Sequence, residues 1–193
     1  MLLALSLIAP LLAADVAKGK TLYAPCVACH GQSGEGNAAL NAPVIGGQEV
    51  WYLERQLKSF RSGARGGDPI GATMVPMAKA LPDDAAVADV AAYVATLAPA
   101  PAKPALGGDA TKGKALYAAC AACHGQSGEG NAALNAPALW RQQDAYLVRQ
   151  LVAFKSGKRG SDPFGAQMKP MAQTLVDEQA MKDVAAYIAT LKR

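Results

Sequence analysis

The sequence predicts an all-α fold built as two tandem copies of one small domain, and three observations predict it. Sliding the chain against itself by 94 positions aligns residues 18–97 with 112–191 without a gap, and 53 of those 80 positions are identical. Two copies of this size mark tandem domains from a duplication, since solenoids use more and shorter repeats. Apolar residues recur at helical spacing in each copy, as Leu53, Leu57 and Phe60 and again as Leu147, Leu151 and Phe154. No segment shows a convincing strand pattern.

Taken in order, residues 1–14 are an apolar run broken only by Ser6 and Pro10, ending Leu12-Ala13-Ala14 before the first charge at Asp15. This reads as a signal peptide cleaved after Ala14, although it lacks a basic start. The rival reading is an uncleaved anchor, but a spanning helix wants about 20 apolar residues and this run is shorter. The expectation is a soluble, exported, periplasmic protein. Domains are expected at 15–97 and 109–193. Each opens on a short helix carrying Gly19, Leu22 and Tyr23, or Gly113, Leu116 and Tyr117. A Gly-rich loop follows, identical in the two copies from 28–43 and 122–137. After the middle helix, the last helix starts near Asp83 or Asp177, each suited to cap it. Its buried stripe is Val87, Val90, Ala91 and Val94, or Met181, Val184, Ala185 and Ile188. Between the domains, residues 98–108 form a Pro/Ala-rich linker expected to be extended and semi-rigid.

Charge is uneven. Residues 15–97 hold 7 Lys and Arg against 8 Asp and Glu, or −1, whereas 98–193 hold 12 against 7, or +5. The basic residues are dispersed, which argues against a nucleic-acid partner.

Chemistry is concentrated in one motif. Cys26-Val27-Ala28-Cys29-His30 and Cys120-Ala121-Ala122-Cys123-His124 use all 4 Cys and both His of the chain. Cys-x-x-Cys-His is the attachment signature of c-type haem: two thiols add to the two vinyl groups of one porphyrin, and the next imidazole ligates the iron. A thioredoxin-like redox pair, or one zinc shared by four thiolates, would not need the histidines that follow. Two covalently bound haem c groups are therefore expected, with much of each small core supplied by haem. A sixth iron ligand is then needed, and no His or Cys is spare. Each copy offers two methionines, Met74 and Met77 or Met168 and Met171, of which one can also be core filler.

With these residues in place the chain resembles the class I cytochromes c, and among them the two-haem cytochrome c4 family. The resemblance rests on Cys-x-x-Cys-His near the start of each half, the Gly-rich loop ending at Pro43 or Pro137, the Gln-x3-Tyr-Leu-x-Arg-Gln-Leu helix, and a Met preceding an Ala-Ala-Tyr helix. It implies two tandem class I cytochrome c domains, each wrapped around one covalent haem. It also implies that Met74 and Met168 are the distal ligands, seven residues before Leu81 and Leu175. Pro43 and Pro137 would accept the proximal imidazole N–H, and Gly19 and Gly113 would let the first helix cross the last beside Tyr93 and Tyr187. Tyr52, Arg55, Tyr146 and Arg149 would reach haem propionates, or the arginines would lie on a solvated face. Pro82 and Val176 depart from the family's usual Ser before the last helix.

The function expected is electron transfer between a redox protein donor and acceptor, such as a membrane-bound oxidase or a dehydrogenase, with no small-molecule substrate and no catalytic residues. The alternatives are an electron-transfer subunit of a dehydrogenase, or a two-haem enzyme such as a peroxidase or thiosulfate-oxidising cytochrome. Gly46-Gly47 in the first copy is Trp140-Arg141 in the second, and Trp51 is Ala145. These changes predict a higher potential for the second haem if Trp140 shields it and Arg141 nears its propionates. If Trp140 only packs and Arg141 meets solvent, no such difference follows.

Overall fold

The computed structural model describes residues 13–192, so the expected signal peptide lies almost wholly outside the described residues. The first domain holds α1 (Val16–Tyr23), α2 (Val27–His30), α3 (Val50–Ser62), α4 (Pro69–Ala72), α5 (Met74–Lys79) and α6 (Asp84–Thr96). The second holds α7 (Ala110–His124), α8 (Asp144–Lys155), α9 (Pro163–Ala166), α10 (Met168–Gln173) and α11 (Glu178–Ile188). Among the described residues there is no strand, only isolated bridges from Asn37 to Ala42 and from Asn131 to Ala136.

One difference in count has a plain cause. α7 runs unbroken into its haem motif, whereas in the first domain a 3-10 turn at Ala24–Cys26 separates α1 from α2. Pro25 stands where the second copy has Ala119; without an N–H, and with its ring against the preceding turn, it interrupts the helix.

Acidic residues start the first and last helices of each domain, at Asp83 and Asp177 as expected and at Asp15 and Asp109 besides. Asp15 and Asp109 accept from two backbone N–H groups each in α1 and α7, and Asp83 and Asp177 from one each in α6 and α11. Pro82 and Val176 therefore leave both helix starts in place.

Each core forms where the first helix crosses the last. A Cβ built on Gly19 would stand 2.0 Å from the Asp89 carbonyl oxygen, and one on Gly113 would stand 1.9 Å from that of Asp183. No side chain fits either crossing. Beside them Tyr23 meets Tyr93 at 5.5 Å between ring centres, and Tyr117 meets Tyr187 at 5.3 Å. The predicted stripes of α6 and α11 are buried throughout, joined by Leu53 and Leu81 in one core and by Leu147 and Leu175 in the other. Leu57 and Leu151 pack at the edges of these clusters.

The linker is docked along its length. Pro99 is buried; the Ala102 amide donates to the Arg141 carbonyl at 3.1 Å; and Asp144 Oδ2 accepts from the Ala105 and Leu106 amides at 2.6 and 2.7 Å. Asp144 is 2% exposed and replaces Val50 of the first copy, so the strap is peculiar to the second domain.

The two domains meet across a pseudo-twofold axis through paired polar contacts. Gln48 donates to the Ala138 carbonyl at 3.0 Å, and its mate Gln142 donates to that of Val44 at 2.8 Å. Arg55 grips Asn135 at 3.2 Å through both terminal nitrogens, and Arg149 grips Asn41 at 3.1 and 2.8 Å. Arg65 donates to the Tyr146 hydroxyl and Arg159 to the Tyr52 hydroxyl, each at 2.9 Å.

Candidate haem sites

Each haem motif occupies the end of a helix that a glycine terminates. Gly31 and Gly125 have φ of 80° and 83°, so the chain leaves the helix directly after the histidine. The hydroxyls of Tyr23 and Tyr117 hold these turns by donating to the Gly31 and Gly125 carbonyls at 2.8 Å. Burial raises both phenol pKa values far above their ordinary value, so they remain donors.

Within the motif, Cys26 and Cys29 lie one helical turn apart, as do Cys120 and Cys123. In each pair the first thiol is half-buried and the second exposed. Burial pushes the Cys26 and Cys120 thiols up from their ordinary pKa. His30 and His124 are each 6% exposed, with Nδ1 against the carbonyls of Pro43 at 3.0 Å and Pro137 at 2.8 Å. Donation from Nδ1 fixes the tautomer and leaves Nε2 as the lone-pair nitrogen, the arrangement a ligating imidazole needs. Burial holds both imidazoles below their ordinary pKa, against the opposing pull of the proline carbonyls.

Met74 and Met168 open α5 and α10 and are half-buried, while Met77 is 39% exposed and Met171 half-buried. Among the described residues no three His, Cys, Asp or Glu side chains gather as a metal cluster, so the two Cys-x-x-Cys segments do not combine as a four-thiolate zinc site.

The residues fit haem c. The donor set is two spaced thiols, an imidazole oriented by a carbonyl, and a thioether downstream, once per domain. A further fit comes from the interface arginines: the buried Nε atoms of Arg55 and Arg149 have no hydrogen-bond partner, and a propionate carboxylate is an acceptor to which such N–H groups donate.

Arg55 and Arg149 do not lie on a solvated face. Their terminal nitrogens are spent on the opposite domain, and burial lowers both from the ordinary arginine value. Tyr52 and Tyr146 likewise receive guanidiniums from across the interface. Against burial, which would raise it, Arg65 and Arg159 pull the Tyr146 phenol down. Arg141 is not turned out to solvent: its guanidinium lies 3.7 Å above the Trp140 ring, and a Cβ on Gly47 would sit 3.4 Å from it. A Cβ on Gly46 would meet the Ser33 carbonyl oxygen at 2.3 Å and Pro99 of the linker at 2.7 Å. Sequence reasoning missed Arg65, Arg159, Gln48, Gln142 and Asp144. The first four were discoverable as polar residues kept in both copies; Asp144 leaves no repeat signal.

A fold of two helical domains with one Cys-x-x-Cys-His each, its histidine backed by a proline carbonyl, defines a two-domain c-type cytochrome. The family model described as Cytochrome c matches residues 16–98 and again 110–192. A thiosulfate dehydrogenase electron acceptor from Thiomonas intermedia is 37% identical over 177 residues, spanning 86% of this chain and 78% of the relative. A cytochrome c4 from Azotobacter vinelandii is 34% identical over 189 residues, spanning 90% and 86%. The crystal structure of reduced recombinant cytochrome c4 from Pseudomonas stutzeri superimposes with a TM-score of 0.78 at 28% identity, covering 93% of this chain and all of that one. The chain belongs to the cytochrome c family, in its two-haem cytochrome c4 branch. It carries two covalently bound haem c groups and is a dihaem electron carrier.

Proposed function

We propose that the protein works as an exported carrier in the periplasm, without catalysis of its own, passing electrons from a dehydrogenase-type donor to an acceptor such as a membrane-bound oxidase. Cys26 and Cys29 bind the first haem and Cys120 and Cys123 the second. His30 and His124 are the proximal iron ligands, and Met74 and Met168 the distal ones. The observation that carries this reading is the duplicated imidazole-to-proline bond, which prepares two like irons and divides no labour between them.

Haem supplies a one-electron iron couple whose potential its axial ligands and surroundings set. The chain supplies the rest. Pro43 and Pro137 hold the imidazole tautomer, the tyrosine-anchored turns hold the helix ends, and the Met74 and Met168 thioethers would complete each ligand set and leave no place for substrate. No described helix is long and apolar enough to cross a membrane. The donor class is supported by the relative named as an electron acceptor of thiosulfate dehydrogenase.

The test is a spectrum of the reduced holoprotein under carbon monoxide. Two six-coordinate haems should barely respond; a full response from either would favour the enzyme reading. Incubation with thiosulfate alone should leave both haems oxidised.

A further inference from the structure

The two domains receive the preceding chain differently. In each, a buried carboxylate of the last helix holds the amide of the aspartate that caps the first: the Asp15 nitrogen donates to Asp89 Oδ1 and the Asp109 nitrogen to Asp183 Oδ1, both at 2.8 Å. Before Asp109 the chain is pressed onto α11. A Cβ on Gly108 would stand 2.1 Å from the Lys182 carbonyl oxygen and 3.0 Å from the Ala186 side chain. The first copy puts Ala14 at the Gly108 position and keeps an alanine, Ala92, opposite, so its own Cβ bars that path. Ala13 and Ala14 are exposed and lie outside any helix.

The two carboxylates also keep different company. Asp183 takes a second hydrogen bond from the neutral Gln179 amide at 2.8 Å. Ala85 stands in place of that glutamine in the first copy, and the Lys18 ammonium lies 3.2 Å from Asp89 Oδ2 instead. Asp89 is 6% exposed, and a carboxylate so nearly removed from water is best matched by full positive charge. The Asp15 nitrogen, already in contact with it, gains such a charge if the peptide bond before it is cut.

We propose that the bond between Ala14 and Asp15 is cut on export and that the Asp89 carboxylate is the seat of the α-ammonium group so created. The inference rests on the reading of the protein as exported. Under a signal peptidase, water adds across the peptide bond; Ala14 leaves with a carboxylate and Asp15 keeps an ammonium, with no net proton released at neutral pH. The new charge takes the place of an N–H that already meets its acceptor, so the mature end needs no rearrangement. Its charged neighbours are the Asp15 and Lys18 side chains on α1 and Asp89 on α6. The two carboxylates favour the ammonium form, Lys18 and the positive end of α1 oppose it, and the direct contact with Asp89 outweighs them. An amine pKa raised in the folded state gives stability that is present below the unfolded value, about 7.7, and is lost as pH rises through the folded one.

The experiment uses the holoprotein recovered after export. Terminal sequencing and intact mass should place its first residue at Asp15. The pH dependence of acetylation of its α-amine by trace acetic anhydride gives the amine pKa, which should lie about one unit above the ordinary value, a tenfold shift in proton affinity. Asp89→Asn should return it to that value, whereas Asp183→Asn should leave it raised. A second variant, with one glycine inserted between Ala14 and Asp15, starts the mature chain as Gly108 starts the second domain. It keeps the Asp15 amide on Asp89 but carries the amine away, so its pKa should be ordinary and its melts between about pH 7 and 10 should lack the parent's alkaline loss of stability. If Asp89→Asn does not fold, this insertion decides the question. An exported chain that begins elsewhere, an ordinary amine pKa in the parent, or a raised one in the insertion variant overturns the seat and leaves export standing. A chain found only in the cytoplasm with residues 1–14 attached overturns both.

Discussion

Gly19 lies directly against the Asp89 carbonyl, at a separation that leaves no room for a single methyl group: a Cβ would come within 2.0 Å of the oxygen. α1 and α6 therefore approach backbone to backbone. Gly19→Ala must push the helices apart or distort one of them. A loss of about 3 kcal/mol in stability is expected, the upper range for overpacking, and thermal denaturation of the holoprotein followed at the haem bands will measure it. Gly113→Ala should do the same to the second domain, and Gly63→Ala, where nothing lies within 4 Å, should cost only the strain of its positive φ.

The side chain of Asp89 makes a second point at this crossing. Its carboxylate accepts from the Asp15 amide at 2.8 Å and meets Lys18 at 3.2 Å. The backbone bond first, and Lys18 after it, hold its pKa below the ordinary aspartate value; Asp183 is lowered in the same way by the Asp109 amide and then Gln179. A pKa lowered in the folded state gives stability that is present above the unfolded aspartate value, about 3.9, and is lost as pH falls through the folded one. Acid melts should therefore steepen below about pH 4. In Asp89→Asn/Asp183→Asn, which keeps an acceptor oxygen, that part of the pH dependence should vanish.

For the distal ligands, Met74→Ala and Met168→Ala should each remove half of the weak sulfur-to-iron absorption at the red end of the oxidised spectrum. Met77→Ala and Met171→Ala should leave it whole. The reverse pattern would transfer ligation to the second methionine of each pair.

Asp144→Ala leaves the Ala105 and Leu106 amides without their acceptor. The expected cost is about 1–3 kcal/mol, confined to the linker and its seat. Hydrogen exchange should report it as lost protection at those two amides, with α1 and α6 of the first domain unaffected.

Most of the fold was legible because its signals are local. Asp15, Asp83, Asp109 and Asp177 cap helices a few residues away, and the stripes of α6 and α11 bury as their spacing requires. The histidine-to-proline bonds span only 13 residues and come with the family pattern. The junction was not legible in the same way. Arg55 and Asn135 are 80 positions apart, and nothing in a helical wheel says that an exposed-looking arginine stripe meets the other copy. The linker's composition predicts stiffness, and it takes the buried Asp144 carboxylate to convert stiffness into attachment.

The quasi-symmetry of the junction has a thermodynamic corollary. Its mated contacts are hydrogen bonds from glutamine amides to carbonyls and from guanidiniums to phenols, worth about 1 to 3 kcal/mol each net of water. Two separate copies meeting in solution would have to offset the full loss of translational freedom with such bonds. Joined by eleven residues of which several are pinned, the halves face each other at an effective concentration on the order of millimolar or above, so a junction too weak to hold a dimer suffices within one chain. Fusion also frees the mates to diverge. Glu49 accepts from the Ala138 amide, whereas its counterpart Gln143 donates to the Ala42 carbonyl, and one ancestral patch has become two complementary ones.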